Sequence, residues 1–364
     1  MKTKVAVLFG GHSTEHDVSI ISGLQAFAAL DREKYEVIPL YIAKDNRIYT
    51  GEALGTVDIY KEGGAAFAAA ATRVTLVPTE TGVEVVRYPA PKFGKAVVGS
   101  FEVAIPVVHG TNVEDGTLMG YLEMLNVPYA ACDVTASALG MNKYFMKTAL
   151  AAAGLPVLPA KEYRAKEYAL RADEILADIE QNFEYPVIVK PVNLGSSIGI
   201  SKAENRDALI QSMDTAVSFA DRVLVEHAVA NLREINCAVL GDADEAIPSA
   251  CEEPISAADV LDFSEKYLGD GSKSKGMATL KRRCPADLPE GMTETVQELA
   301  VKTFRALGCC GVARVDFLND TETGQLWVNE INTIPGSLAF YLWEPCGIDF
   351  SQLIDKLVEL ALKA

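Results

Sequence analysis

Positive charge is scarce in this 364-residue chain: 33 Lys and Arg stand against 50 Asp and Glu, a formal net charge of −17. That balance argues against a broad surface for nucleic acid or an anionic membrane, although a local cluster of cations can still hold a small anion. Histidine is scarcer still, and the scatter of the four residues present (12, 16, 109, 227) excludes a zinc site by spacing. Seven cysteines, an odd number without a C-x-x-C pair, read as reduced thiols of a cytoplasmic protein. No apolar run approaches membrane-spanning length, the most evident being Ala65 to Ala71. Met1–Phe9 runs straight into a strand pattern, without the apolar core and cleavage site of a signal peptide. Neither G-x-G-x-x-G nor G-x-x-x-x-G-K-[ST] occurs, which counts against a dinucleotide-binding fold and a Walker loop.

What remains is an ordinary globular balance, 49% hydrophobic and 23% charged, in a chain long enough for two or three domains. Val5–Phe9, Gly10-Gly11, Val18–Leu30 and Tyr35–Ile42 read as strand, turn, helix and strand, one parallel crossover unit of an α/β fold. Residues 51–100 read as an irregular elaboration with part of a hairpin at Val83–Val86. Phe101–Val108 is a buried strand, and Ser137–Ala153 is one continuous helix stopped by Gly154 and Pro156. Residues 254–283, poor in large apolar side chains, have the composition of an active-site lid. Gly311–Leu318 and Leu326–Asn332 alternate like paired strands.

Five constellations carry candidate chemistry. Gly10-Gly11-His12-Ser13-Thr14-Glu15-His16 follows a strand and opens a helix, where free N–H groups favour anions; a glycine turn capped by Ser13 or Thr14 also accounts for it. His109-Gly110 to Glu114-Asp115-Gly116 lies at the carboxyl end of another strand, where α/β ligand sites occur. Lys190, followed by Gly195-Ser196-Ser197-Ile198-Gly199, puts a cation beside a loop whose amides can approach phosphate oxygens. Arg314, Asp316, Glu330 and Asn332 share one face if their strands pair, giving an oxygen-only set suited to Mg²⁺ beside nucleotide phosphates; cross-strand salt bridges on a solvated face are the alternative. Lys266-Tyr267, with Lys273, Lys275, Lys281, Arg282 and Arg283, concentrates cations in the expected lid, as closure over a polyphosphate would require.

In this order, the five resemble the D-alanine–D-alanine ligase family of ATP-grasp enzymes, from residue 4 to about 362. The resemblance implies three α/β domains, 1–110, 111–187 and 188–364, with ATP between two sheets. It implies that Glu15 orients the first D-alanine's ammonium, in a pocket with Val18 and His109, and that Ser196 and Tyr267 link Glu15 to the lid. Lys143, Lys190 and Lys266, with Ser197, would bind phosphates. Glu226, His227 and Val229 would form the adenine segment, and Glu234 would hold the ribose. Asp316, Glu330 and Asn332 would bind two Mg²⁺ ions, or Mn²⁺ in their place. Arg314 and the N–H of Gly336 would stabilise an oxyanion.

The implied reaction joins two D-alanines through an acyl phosphate for peptidoglycan precursors, in a cytoplasmic homodimer without nucleic-acid or membrane partners. The chain departs from the family pattern at Val113, at Asn142, by one extra residue between Glu226 and Glu234, and after Gly336, where Tyr341 stands in place of a serine. Tyr341, or Ser337 with Leu342 beside them, is therefore expected at the acceptor, and core packing of Phe340, Tyr341 and Trp343 is the alternative. D-serine, D-lactate or another amino acid stays open as acceptor. A non-catalytic nucleotide-binding protein on this scaffold and a dinucleotide-dependent oxidoreductase are the weaker readings.

Overall fold

The structure, a computed structural model, describes residues 2–62, 64–255 and 282–363. Lys266 and Tyr267, with residues 256–281 of the expected lid, lie outside the described residues. No described helix is long and apolar enough to cross a membrane.

The first sheet grows from β1 (Thr3–Gly10), whose apolar residues from Val5 to Phe9 are all buried. It pairs in parallel with β2 (Tyr35–Ile42) and β7 (Val103–Val108), and α1 (His16–Ala29) crosses over it, as a continuous apolar strand of a parallel sheet requires. Residues 51–100 are more regular than the sequence suggests. With β3 (Ile48–Thr50), β4 (Thr72–Thr79), β5 (Gly82–Arg87) and β6 (Val97–Phe101) extend the sheet to seven strands as an antiparallel meander. Two short helices, α2 (Asp58–Glu62) and α3 (Gly64–Ala70), lie between β3 and β4.

After α4 (Thr117–Met124), the expected helix Ser137–Ala153 is two helices, α5 (Val134–Met141) and α6 (Lys143–Ala152). Asn142 breaks it with extended backbone, and its side chain caps α6 by accepting from the Phe145 N–H. Capping a new helix start stabilises it by about 1 kcal/mol, and the break turns Lys143 inward. The second sheet has four antiparallel strands, from β8 (Ala160–Arg164), β9 (Val187–Pro191), β10 (Ser201–Ala203) and β11 (Arg222–His227); they lie on both sides of position 187/188. Helices α7 (Ala165–Asn182) and α8 (Arg206–Phe219) supply its apolar cover.

The third sheet is antiparallel, with order β14-β13-β12-β15-β16, from β12 (Leu232–Gly241), β13 (Ala246–Pro254), β14 (Arg282–Arg283), β15 (Gly311–Asp320) and β16 (Leu326–Asn332). Helix α9 (Met292–Ala306) covers one face with Val296, Ala300 and Phe304. Val315 and Phe317 point into that core while Arg314 and Asp316 point away, the period-two alternation of a strand buried on one side. A turn segment, Gly336–Leu342, and α10 (Phe350–Lys363) return the chain to the first sheet's core.

Candidate active site

The polar face of β15 and β16 is the centre of the site. Arg314 lies opposite Asn332 and Asp316 opposite Glu330, so the four expected residues do share one face. A bulge between Asp316 and Phe317 inserts Asn329 on the other strand, and Asn329 joins Glu330 in lining the cavity. Arg314 forks onto Asp316, with Nε and Nη2 at 2.6 and 2.7 Å from the two carboxylate oxygens, and Asn332 Nδ2 donates to Oδ2 at 3.0 Å. Burial raises the Asp316 carboxyl despite that fork, whereas the Lys143 ammonium, 3.2 Å away, holds the Glu330 carboxyl below its usual range. Asp316 holds the Arg314 guanidinium protonated against the opposing effect of burial.

Two cavities meet over this face. The larger, about 670 Å³, runs between the second and third sheets and is lined by Lys190, Glu226, His227, Val229 and Glu234 among others. The smaller, about 250 Å³, lies against the first sheet and is lined by Glu15, Val18, His109, Glu114 and Gly336 among others. Lys143, Gly195, Ser196, Ser197, Arg314 and Glu330 line both. The junction therefore carries two cations and two hydroxyls.

Glu15 is held from several sides. It is itself the residue preceding α1, and no side chain caps that helix, so neither Ser13 nor Thr14 is the cap. Ser13 instead accepts from the Glu15 N–H at 3.2 Å and donates to the His109 carbonyl at 2.6 Å. Ser196 Oγ donates to the Glu15 carboxylate. A Cβ at Gly195 would come within 2.9 Å of Glu15 Oε2, and one at Gly110, where φ is +85°, within 2.8 Å; these two glycines leave the carboxylate its space. Burial pushes the Glu15 carboxyl up, and the Ser196 hydrogen bond opposes the shift.

His109 is buried, and its imidazole is lowered to about 4 mainly by that burial, so it is neutral. Nδ1 donates to the Ile334 carbonyl at 3.0 Å, which leaves Nε2 to accept from Ser22 Oγ at 2.9 Å; Ser22 in turn accepts from the Ser337 N–H. Glu114, absent from the expected site, accepts from the N–H groups of Gly110 and Ile334, each at 3.0 Å. It ties the β7 loop to the segment after β16. Burial, with Glu15 nearby, pushes its carboxyl up to about 7. The Glu-Asp-Gly following Gly110 was the only sequence signal for it.

On the nucleotide-sized side, Lys143 Nζ donates to the Leu194 carbonyl at 2.9 Å. Lys190 Nζ lies 2.5 Å from Glu226 Oε1 and donates to Asn329 Oδ1 at 3.1 Å. Lys147, one turn beyond Lys143, sits 2.9 Å from Glu226 Oε2. Burial opposes the charge on Glu226, but the two ammoniums outweigh it and hold the carboxyl at about 2. His227 packs edge-on against Phe183, with ring centroids 5.2 Å apart. Burial raises the Glu234 carboxyl, reinforced by Asp316 and Glu330.

Three expected substrate contacts do not line either cavity. Leu342 is fully buried. Ser337 is buried and donates from Oγ to Gln25 Oε1 at 2.5 Å. Tyr341 donates from its hydroxyl to Glu252 Oε1 at 3.0 Å, and the Arg282 guanidinium stacks 3.8 Å over its ring. Glu252 and Arg282 themselves line the larger cavity beside Arg314, so Tyr341 lies behind that wall. Ser337, Leu338 and Ala339 all have φ near +50°, a left-handed turn that costs about 1–2 kcal/mol per residue outside glycine.

The fold and site define a class: an ATP-grasp enzyme, with its ligand cleft between two antiparallel sheets. Residues 4–132 match the family model "D-ala D-ala ligase N-terminus" and residues 149–359 match "D-ala D-ala ligase C-terminus". The chain is 39% identical to a D-alanine–D-alanine ligase of Caldicellulosiruptor bescii, covering 100% of this chain and 96% of that protein. It is 37% identical to one of Acetivibrio thermocellus at the same coverage, 100% and 96%. Among solved structures it superposes on the D-alanine–D-alanine ligase of Coxiella burnetii with a TM-score of 0.81 at 30% identity, covering 100% of this chain and 94% of that one. The VanG D-Ala:D-Ser ligase of Enterococcus faecalis gives 0.81 and 30%, covering 99% and 100%. The chain belongs to the D-alanine–D-alanine ligase family.

Proposed function

We propose that the protein joins two D-alanines at the expense of ATP, through an acyl phosphate, to supply a peptidoglycan precursor. The observation that carries the reading is the shared wall. A nucleotide-sized cavity and a cavity fit for a small amino acid meet at Lys143, Arg314, Glu330 and the Gly195–Ser197 loop. That is the geometry needed to bring a carboxylate to a γ-phosphate.

In this reading Glu226, His227 and Val229 receive the adenine, Glu234 the ribose, and Lys143, Lys190 and Ser197 the phosphates. The donor D-alanine lies in the smaller cavity beside Val18, with its ammonium toward Glu15. Its carboxylate oxygen attacks the γ-phosphorus and ADP leaves. Lys143, Lys190 and Arg314 offset the charge on the transferred group. The deprotonated amine of the second D-alanine attacks the acyl carbon, the oxyanion forms against Arg314 and the Gly336 N–H, and phosphate departs with the former carboxylate oxygen. Asp316, Glu330 and the Asn332 amide form a hard, oxygen-only donor set that fits Mg²⁺ shared with phosphate oxygens. Among the described residues no three His, Cys, Asp or Glu cluster, so phosphate oxygens and water would complete the shell. Bound there, Mg²⁺ would supply charge neutralisation to the phosphates.

All seven cysteines are free thiols, which supports a reducing, cytoplasmic setting; a homodimer is part of the same proposal, on the family resemblance alone. The test is phosphate release from Mg·ATP with a panel of D- and L-amino acids and hydroxy acids, the products weighed by mass spectrometry. D-alanyl-D-alanine as main product supports the proposal, and no amino-acid-dependent turnover refutes it.

A further inference from the structure

We infer that Lys147 is a positioning residue, a counter-cation that keeps Glu226 compensated when Lys190 turns to a nucleotide phosphate. The inference rests on the ATP-dependent reading above. Lys147 lines neither cavity and so acts through Glu226.

Lys143 and Lys147 lie four residues apart on one face of α6. The Lys147 and Glu226 side chains are 4% and 2% exposed, and Nζ and Oε2 stand 2.9 Å apart as an ion pair without hydrogen-bonding geometry. The other carboxylate oxygen belongs to Lys190. Three buried lysines (Lys143, Lys147, Lys190) thus face two carboxylates (Glu226, Glu330), one more cationic group than the carboxylates need; burial lowers the Lys147 ammonium and Glu226 opposes that shift. A single lysine would neutralise Glu226; burying a second carries an added desolvation cost. The fold alone has no use for that excess, but a phosphate does. Without Lys147, Lys190 and Glu226 would close into a neutral pair. Drawing Lys190 to a phosphate would then strip a buried carboxylate of its only cation, the most destabilising way to break such a pair. With Lys147 in place, Lys190 changes partner while Glu226 stays ionised and fixed.

The experiment compares the full-length parent with Lys147→Met and Lys147→Arg. It measures ATP and D-alanine kinetics, calorimetric affinity for a non-hydrolysable ATP analogue with Mg²⁺, and thermal unfolding. Lys147→Met is expected to weaken analogue binding and raise the ATP KM at least about tenfold. The D-alanine KM and kcat should change little, the unfolding midpoint should hold or rise, and Lys147→Arg should restore most of the affinity. Unchanged analogue affinity in Lys147→Met, or a loss confined to the unfolding midpoint, would overturn the inference. If Lys147→Met does not fold, Glu226→Gln and the double variant decide: adding Lys147→Met to Glu226→Gln should cost no further affinity, and additive losses refute the coupling. A parent that binds the analogue but turns over no D-alanine refutes the ligase reading while the binding comparison still judges Lys147.

Discussion

Glu114 offers a test that needs no substrate. The residue is 8% exposed and its carboxylate accepts two backbone N–H groups, from Gly110 and Ile334, yet burial lifts its carboxyl from the ordinary 4.5 to about 7. A raised carboxyl favours the folded protein while it is protonated, so this contribution is complete below pH 4.5 and is lost as pH rises through 7. Integrated between roughly pH 5 and pH 8, the loss is about 2.5 kcal/mol. Glu114→Gln cannot ionise and keeps one acceptor oxygen for one of the two amides. The variant should therefore start lower than the parent near pH 5, by the roughly 1–3 kcal/mol of a buried donor left unpaired, and the gap should close toward pH 8. Followed by differential scanning calorimetry, the gap in midpoint should narrow by on the order of 5 °C, at roughly 2 °C per kcal/mol for a chain of this size. Titrations elsewhere cancel in the difference. Parallel pH profiles for parent and variant would show that Glu114 is ionised throughout, and the clasp would need another explanation.

Three further outcomes follow from the site. Asp316→Ala and Glu330→Ala should each abolish turnover while circular dichroism stays native; full activity in either would refute the metal-donor assignment. Gly195→Ala would bring a methyl to 2.9 Å from Glu15 Oε2, so the donor D-alanine KM should rise at least about tenfold with the ATP KM nearly unchanged, and equal effects on both would place the loop's role elsewhere. Tyr341→Phe removes the hydrogen bond to Glu252 and should cost about 1 kcal/mol of stability. Any effect on turnover should reach the site through Glu252 and Arg282, which line the larger cavity beside Arg314, and acceptor kinetics identical to the parent's would make Tyr341 a core residue only.

The face formed by Arg314, Asp316, Glu330 and Asn332 was legible because strand alternation separates it from Val315 and Phe317, which are apolar. The bulge at Asn329 was not, since nothing local marks one extra residue in a ladder. The break at Asn142 was hidden by a helical pattern that stays in phase across it. An asparagine cap is its only signal, and what selects the break is that Lys143 must reach Leu194 and Glu330. The meander over residues 51–100 was masked by Pro78 and the Gly63-Gly64 pair; its strands are half-buried and gain order from cross-strand pairing rather than from a strong apolar period. Glu226 was read as part of an adenine segment, and its enclosure by Lys147 and Lys190 depends on α6 packing against β8 and β16 and on β11 pairing with β9, contacts no spacing encodes. Tyr341 was visible as a departure, but its commitment to Glu252 required knowing where β13 runs.

The donor's carboxylate, placed where the two cavities meet, is expected to be the nucleophile toward the γ-phosphate. D-alanine carrying ¹⁸O in its carboxylate, incubated with the protein and Mg·ATP, tests this directly, because that oxygen becomes the bridge of the acyl phosphate and leaves with phosphorus. Mass spectrometry of the released phosphate should find one ¹⁸O per turnover alongside D-alanyl-D-alanine. Phosphate free of label, with dipeptide still formed, would show that the carboxylate is not the nucleophile.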